Sequence, residues 1–311
     1  MRFLEVKTFL DGQLQGMDLE RMASFSNDAR ERLLTRLQEP GALAPRSIFG
    51  VAEGVGRDAT DDGGAAMNKL GASPQSNCLY LKGAELKLSG QLGLVGMQEK
   101  GTSTRLNRIG QSIFSALTYS SAPLLEQFSD VTLDLFDTGK FNRYATEYGT
   151  GYTIEDSPYS PRKLFPLAME LLAARKGITL DWEASDIRVD RFFVDFARIG
   201  MLTDDEDLYQ RWFGDLCQAH LEAVARDIDE EDAMFGFEFD LRYYALWPID
   251  VLAALRVRAE LGLPCPPVNH ILMQQPLAQL TQITCEDRSQ ADLIQPFIDY
   301  IKSIEPRLSA L

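Results

Sequence analysis

His220 and His270 are the only histidines in this 311-residue chain, so any imidazole chemistry must pass through one of them. His220 shares a helical face with Leu216 and Val224, a spacing that marks a core or partner-facing imidazole rather than a general base. His270 lies five residues beyond Cys265, and a cysteine with a histidine is the make-up of an activated thiol nucleophile. Prolines crowd that stretch (LPCPPVNH), and neither a third orienting group nor an oxyanion site accompanies the pair. His270 reads instead as a residue that helps to start a helix. The run FGVAEGVGRD has the glycines of a phosphate loop but lacks its Lys-Ser/Thr, and no clear strand precedes it. Asp227, Asp229, Glu231 and Glu238 fall at positions 1, 3, 5 and 12 of a calcium loop, yet Asp232 occupies the sixth position, where the sharp turn needs glycine. The sequence assigns no catalytic residue, metal ligand or cofactor.

Charge is the stronger signal. Residues 1–155 carry 19 acids against 16 bases, and residues 195–240 alone carry 14 against 3, supplying −11 of the net −15. So local a negative field points away from nucleic acid and anionic membranes as partners and towards a basic protein surface or a cation. The acids form two clusters, Asp204, Asp205, Glu206 and Asp207 before a helix centred on Trp212, and Asp229, Glu230, Glu231 and Asp232 after it. Such a helix, about 20 residues long, spans roughly 30 Å. Phe235, Phe237, Glu238 and Asp240 continue the second cluster, and aromatics among carboxylates suit capture of a basic protein: charge steers the encounter and rings anchor it. These thirteen residues are the expected partner-binding surface, and a homodimer stays open as well.

The elements that would position this surface are helical. Apolar residues recur at helical spacing in 26–38, in Leu106–Leu117, in Leu124–Phe136 and in the segment that reaches Lys176 with Gly177 just past its end. A helix over Ile187–Ile199 stops at Gly200. Thr203 and Glu206 have the spacing of a capping box for the Trp212 helix. Pro248 starts another helix that Gly262 closes, and Ser289 caps a last one, with Pro296 in its first turn or at a kink. The segment 78–101 (CLYLKGAELKLSGQLGLVGMQEKG) reads as a helix whose glycines allow close packing. The Gly-rich acidic stretch 46–74 reads as a long loop. Convincing strands are few, so the fold class is mainly α: a multi-helix globular protein with two helical subdomains, 1–155 and 156–311, meeting near 144–161. FPLAMELLAARKGI and WPIDVLAALRVRAELGL share an aromatic-Pro start, a leucine stripe and a terminal glycine, a faint internal echo that falls short of a repeat. The scattered Cys78, Cys217, Cys265 and Cys285 read as reduced, buried thiols. No apolar stretch approaches the roughly 20 residues of a membrane span, and the N-terminus lacks the apolar core of a signal peptide, so the expected location is cytoplasmic.

One segment has a family look. FEFDLRYYALWPIDVLAALRVRAELGLP resembles the closing helical segment of helical immunity proteins from bacterial type VI secretion and polymorphic toxin systems, in which an aromatic-rich lead-in precedes a helix of the form Trp-Pro-x-x-x-Leu-Ala-Ala. The likeness is specific over about 30 residues. It implies a stoichiometric inhibitor of a cognate toxin, most simply a nuclease whose nucleic-acid groove the carboxylates would fill in place of phosphates. A helical adaptor that binds a basic partner without inhibiting it, or a metal-dependent enzyme, are the competing expectations.

Overall fold

A computed structural model describes residues 2–16, 18–19, 31, 35, 44–97, 106–141, 162–185, 187–229, 244–283, 285 and 295–311. Ten α-helices account for most of them: α1 (Arg2–Gly16), α2 (Pro45–Leu70), α3 (Pro74–Gly96), α4 (Leu106–Tyr119), α5 (Ala122–Asp137), α6 (Leu164–Lys176), α7 (Arg191–Asp195), α8 (Glu206–Asp229), α9 (Ile249–Glu260) and α10 (Gln295–Ile304). Among the described residues there is no sheet, only an isolated parallel bridge between Arg162 and Val189. The mainly-α expectation holds. The expected helix over 26–38 lies outside the described residues apart from Glu31 and Thr35, as do the segment 144–161 and the Ser289 cap.

The largest departure from the sequence reading is α2. The stretch expected to be a loop is a 26-residue helix, because its glycines lie against the backbone of α3 and the glycines of α3 lie against its own. Gly71, with φ of 85°, ends α2, and Ser73 caps α3 in a reciprocal box with Ser76, so three residues reverse the chain. The two helices then run antiparallel in backbone contact. A Cβ on Gly63 would lie 2.6 Å from the Tyr80 nitrogen, and one on Gly83 2.6 Å from the Thr60 nitrogen. Gly56 faces Lys87, Gly90 faces Glu53, and Gly93 holds the Phe49 ring. No side chain fits between the helices at these levels. Helix propensity, which glycine lowers by about 1 kcal/mol per residue, is overruled by contact along the whole hairpin.

Helix α4 lies at the centre, with nearly every residue from Leu106 to Tyr119 buried, and packs on α3, α6 and α9. One apolar core runs from Val6 in α1 to Leu311 and draws on both halves of the chain. Helix α6 ends at Gly177 (φ 67°) and α9 is followed by Gly262 (φ 76°), the left-handed stops read from the sequence. Pro296 sits in the first described turn of α10. Buried polar groups tie the layers together. Tyr80, Ser115 and Tyr244 form a hydroxyl triangle with edges of 2.8, 2.9 and 3.1 Å. Trp247 Nε1 donates to Tyr119 Oη, which donates to the Leu280 carbonyl. Arg198 and Trp182 Nε1 both donate to the buried Glu170 carboxylate.

The cysteines also depart from expectation. Cys78 and Cys285 are joined in a disulfide, their Cα atoms 4.2 Å apart, while Cys217 and Cys265 remain free. Their distance in sequence, 207 residues, left nothing local to signal the pairing. Helix packing brings the start of α3 against the segment before α10.

Two predictions follow from this packing. Gly63→Val or Gly83→Val forces the helices apart and lowers stability by about 1–3 kcal/mol, whereas Gly50→Ala and Gly54→Ala, which point into open space, raise it by up to about 1 kcal/mol. Urea denaturation of the four variants separates an obligate glycine seam from a merely glycine-rich helix; equal effects on both faces would refute the seam. Non-reducing peptide mapping recovers Cys78 linked to Cys285, and Cys78→Ser lowers stability by about 2–4 kcal/mol.

Candidate binding surface

The first acidic cluster lies where α7 turns into α8. After Asp195 the helix widens into a π turn, Phe196–Gly200, a local expansion that often accompanies functional sites. It presents Ile199 to solvent at 58% exposure. Leu202 and Leu208 follow at 40% and 39%, so three of the chain's exposed large apolar side chains fall within ten residues. Between them stand Asp204, Asp205, Glu206 and Asp207, all exposed.

Asp205 has a structural task. Its Oδ1 accepts the Leu208 N–H at 2.9 Å, while Thr203 Oγ1 accepts the Asp205 N–H at 3.2 Å. The cap is therefore Asp205 rather than the expected box of Thr203 with Glu206, because α8 begins at Glu206 itself. Acids in a first turn also complement the helix dipole. Asp204, Glu206 and Asp207 make no ion pair with any described residue, so their charge faces solvent uncompensated. Some carboxylates elsewhere on the surface are matched: Glu126 and Asp130 serve Lys176, Glu126 also serves Arg175, and Glu260 is shared by Arg175 and Arg256. The pairing holds the Glu126 carboxyl below the usual range, chiefly through its bond from Lys176.

Trp212 supports the surface from beneath. It is half-buried, stacked on Phe192 with ring centres 5.9 Å apart and edge-on to Phe196 at 6.4 Å. A Cβ on Gly200 would come within 2.5 Å of the indole, so glycine is required where the π turn crosses that ring. Trp212 thus fixes the turn that exposes Ile199. Of the second cluster, Asp229 ends α8, while Glu230, Glu231, Asp232, Phe235, Phe237, Glu238 and Asp240 lie outside the described residues.

Sequence reading missed a different pair, His220 with Asp250, near which Cys217 also lies. His220 Nδ1 lies 2.9 Å from Asp250 Oδ1 with both side chains fully buried, and His220 Nε2 lies 3.0 Å from the Tyr244 carbonyl. A carbonyl can only accept, so Nε2 carries a proton and the contact between Nδ1 and Oδ1 must hold another. Helical spacing places Cys217 one turn from His220, but nothing local announces Asp250, which comes from α9. The combination resembles a nucleophile with its base and orienter, yet it is sealed. Burial first, and the Asp250 charge second, push the Cys217 thiol well up, away from thiolate reactivity. Cys265, the exposed thiol, is also pushed up by burial. His270 caps the short turn Ile271–Gln274, its Nδ1 accepting the Leu272 N–H at 3.2 Å. Among the described residues no three His, Cys, Asp or Glu side chains converge to hold a metal ion, and no helix is long and apolar enough to cross a membrane.

If the dyad is structural, iodoacetamide labels Cys265 and spares Cys217 in the native chain. Asp250→Ala, which strands His220 Nδ1 in the core, costs about 3–5 kcal/mol. Mass spectrometry and denaturation read the two effects, and native labelling of Cys217 would reopen the nucleophile reading.

No family model, curated protein or solved structure matches the chain, so its function rests on the geometry of its own residues.

Proposed function

We propose that this chain is an immunity-type protein that binds and neutralises a basic antibacterial toxin, most simply a nuclease, through the surface around Ile199–Leu208. The observation that carries the reading is the combination found there: uncompensated carboxylates at Asp204, Glu206 and Asp207 interleaved with the exposed apolar side chains of Ile199, Leu202 and Leu208. A solvated helix end has acids without the apolar groups, and a sticky surface has the apolar groups without the acids. Both together suit a partner that brings cations and an apolar face. A nuclease groove meets the first need because it already binds phosphates. The likeness of the Trp247–Pro248 segment to immunity proteins supports the same class, with Trp247 and Ile249 buried as its structural anchors.

A cytoplasmic location accords with a nuclease target. The disulfide removes the support that scattered thiols lent to it, since such bonds persist mainly in oxidising compartments. An enzyme reading has less support, because the described histidines are committed to a sealed dyad and a cap.

The test begins with capture of the toxin from the source bacterium on the full chain, followed by inhibition of its nucleic-acid cleavage at equimolar ratio. Asp204→Asn, Asp205→Asn, Glu206→Gln and Asp207→Asn combined keep the helix cap, since asparagine caps as well as aspartate. They slow association by about tenfold or more at low salt and flatten its salt dependence. Ile199→Ser with Leu202→Ser speeds dissociation instead. Unchanged affinity and salt dependence in both variants would remove this surface from the interface, and capture without inhibition would favour the adaptor reading.

A further inference from the structure

A cleft of about 620 Å³ opens between the C-terminal end of α4, one face of α9 and the segment 281–283, within the size range of small-molecule sites. It lies apart from the acidic surface and plays no part in the reading above. Leu252, Leu255 and Ala259 of α9 recur on one helical face and form an apolar floor, with Ile283 closing the opposite side. That side is held in place: Tyr119 Oη binds the Leu280 carbonyl before it, and the Cys78–Cys285 disulfide follows it.

In this lining one polar group lacks a partner and a second has a donor to spare. Ser120 is 2% exposed, and its buried hydroxyl makes no hydrogen bond. Leaving such a group unsatisfied is destabilising, so a partner for it is favoured. Arg256 uses Nε on Glu260 and Nη1 on the Thr118 carbonyl, and its Nη2 donates to no described residue. Glu260 is divided between Arg256 and Arg175, so Arg256 has no carboxylate to itself. The Thr118 carbonyl, at the negative end of α4, is occupied by Nη1 and so is partly screened from an incoming anion.

A guanidinium can only donate and a hydroxyl can donate, so the complementary ligand brings acceptor oxygens. The floor asks for an apolar body. We infer that this cleft is a binding site for a small apolar carboxylate, its oxygens on Arg256 Nη2 and, after rotation of the buried Ser120 side chain, on Ser120 Oγ, and its hydrocarbon on Leu252, Leu255 and Ala259. Cys265, an exposed thiol in the lining, reports on occupancy.

The full chain is titrated with sodium octanoate by calorimetry, and the alkylation rate of Cys265 is followed in parallel. Octanoate binds and slows Cys265 alkylation, while octanol, with the same chain and no charge, binds at least about tenfold more weakly, as loss of a charge-assisted hydrogen bond requires. Arg256→Gln loses a similar factor. Leu255→Trp fills the floor and abolishes both the heat and the protection. Ser120→Ala supplies a signature that a purely structural serine would not give: the melting temperature of the free protein rises, because an orphan hydroxyl is gone, while octanoate affinity falls. No binding or protection at millimolar octanoate, equal binding of octanol, or unchanged affinity in Arg256→Gln and Ser120→Ala overturns the proposal.

Discussion

Backbone contact between α2 and α3 is the constraint from which the rest of the structure is built. Glycine at 56, 63, 83 and 90 lets main chain meet main chain, and that approach fixes α3 in depth as well as direction. Tyr80, whose backbone lies against Gly63, then delivers its hydroxyl to Ser115 and Tyr244. Tyr244 in turn offers its carbonyl to His220, which holds Asp250 at the start of α9. A chain of contacts therefore runs from a glycine seam at one side of the molecule to the α8–α9 junction at the other. Each link is buried and directional, so a small change in hairpin spacing is felt as a lost hydrogen bond rather than as a looser fit.

These buried polar groups explain why the interior offers little chemistry despite holding tyrosines, a thiol, an imidazole and, among the described residues, three carboxylates. Glu170 is saturated by Arg198 and Trp182, and Arg258 is spent on the Met201 and Pro264 carbonyls with its guanidinium over Tyr209. Burial raises the Tyr80 and Tyr119 hydroxyls well above their ordinary range, which keeps them neutral as donors. The polar interior sets the register of the helices. Chemistry open to a partner is left to the edges, where the π turn and the cleft beside α9 lie.

Much of the fold was legible in the sequence because helices announce themselves locally. Gly177 and Gly262 mark their stops, Pro248 a start, and the stripe from Leu106 to Leu117 a buried face. What failed was information carried by a distant partner. The segment 46–74 has a loop's composition, and only the glycines of α3, at complementary levels, turn it into a helix; the close packing read from Gly83, Gly90 and Gly93 needed glycines on a second helix, and Gly56 and Gly63 were those. Asp250 was invisible as His220's partner for the same reason, as was Cys285 as the partner of Cys78. The acidic surface was legible as charge from Asp204 to Asp207, while the exposure of Ile199 was not, since an outward apolar residue and an inward one look alike until the π turn is known.

That exposure is the feature hardest to reconcile with a purely structural account of the α7–α8 corner. A regular helix through Phe196–Gly200 would bring fewer residues round the same arc, and the π turn inserts one more per turn, which carries Ile199 outward. The arrangement is maintained at a cost in sequence freedom: Gly200 must lack a side chain so that Trp212 can pass, and Trp212 must be aromatic to stack on Phe192. Asp205 then caps α8 so that the neighbouring carboxylates stand at a rigid helix start. Three independent local devices hold an apolar residue in water beside unpaired charge, where each alone works against solubility or stability. Under the proposed function, burial against a basic partner would cover the apolar side chains and neutralise the unpaired charge together.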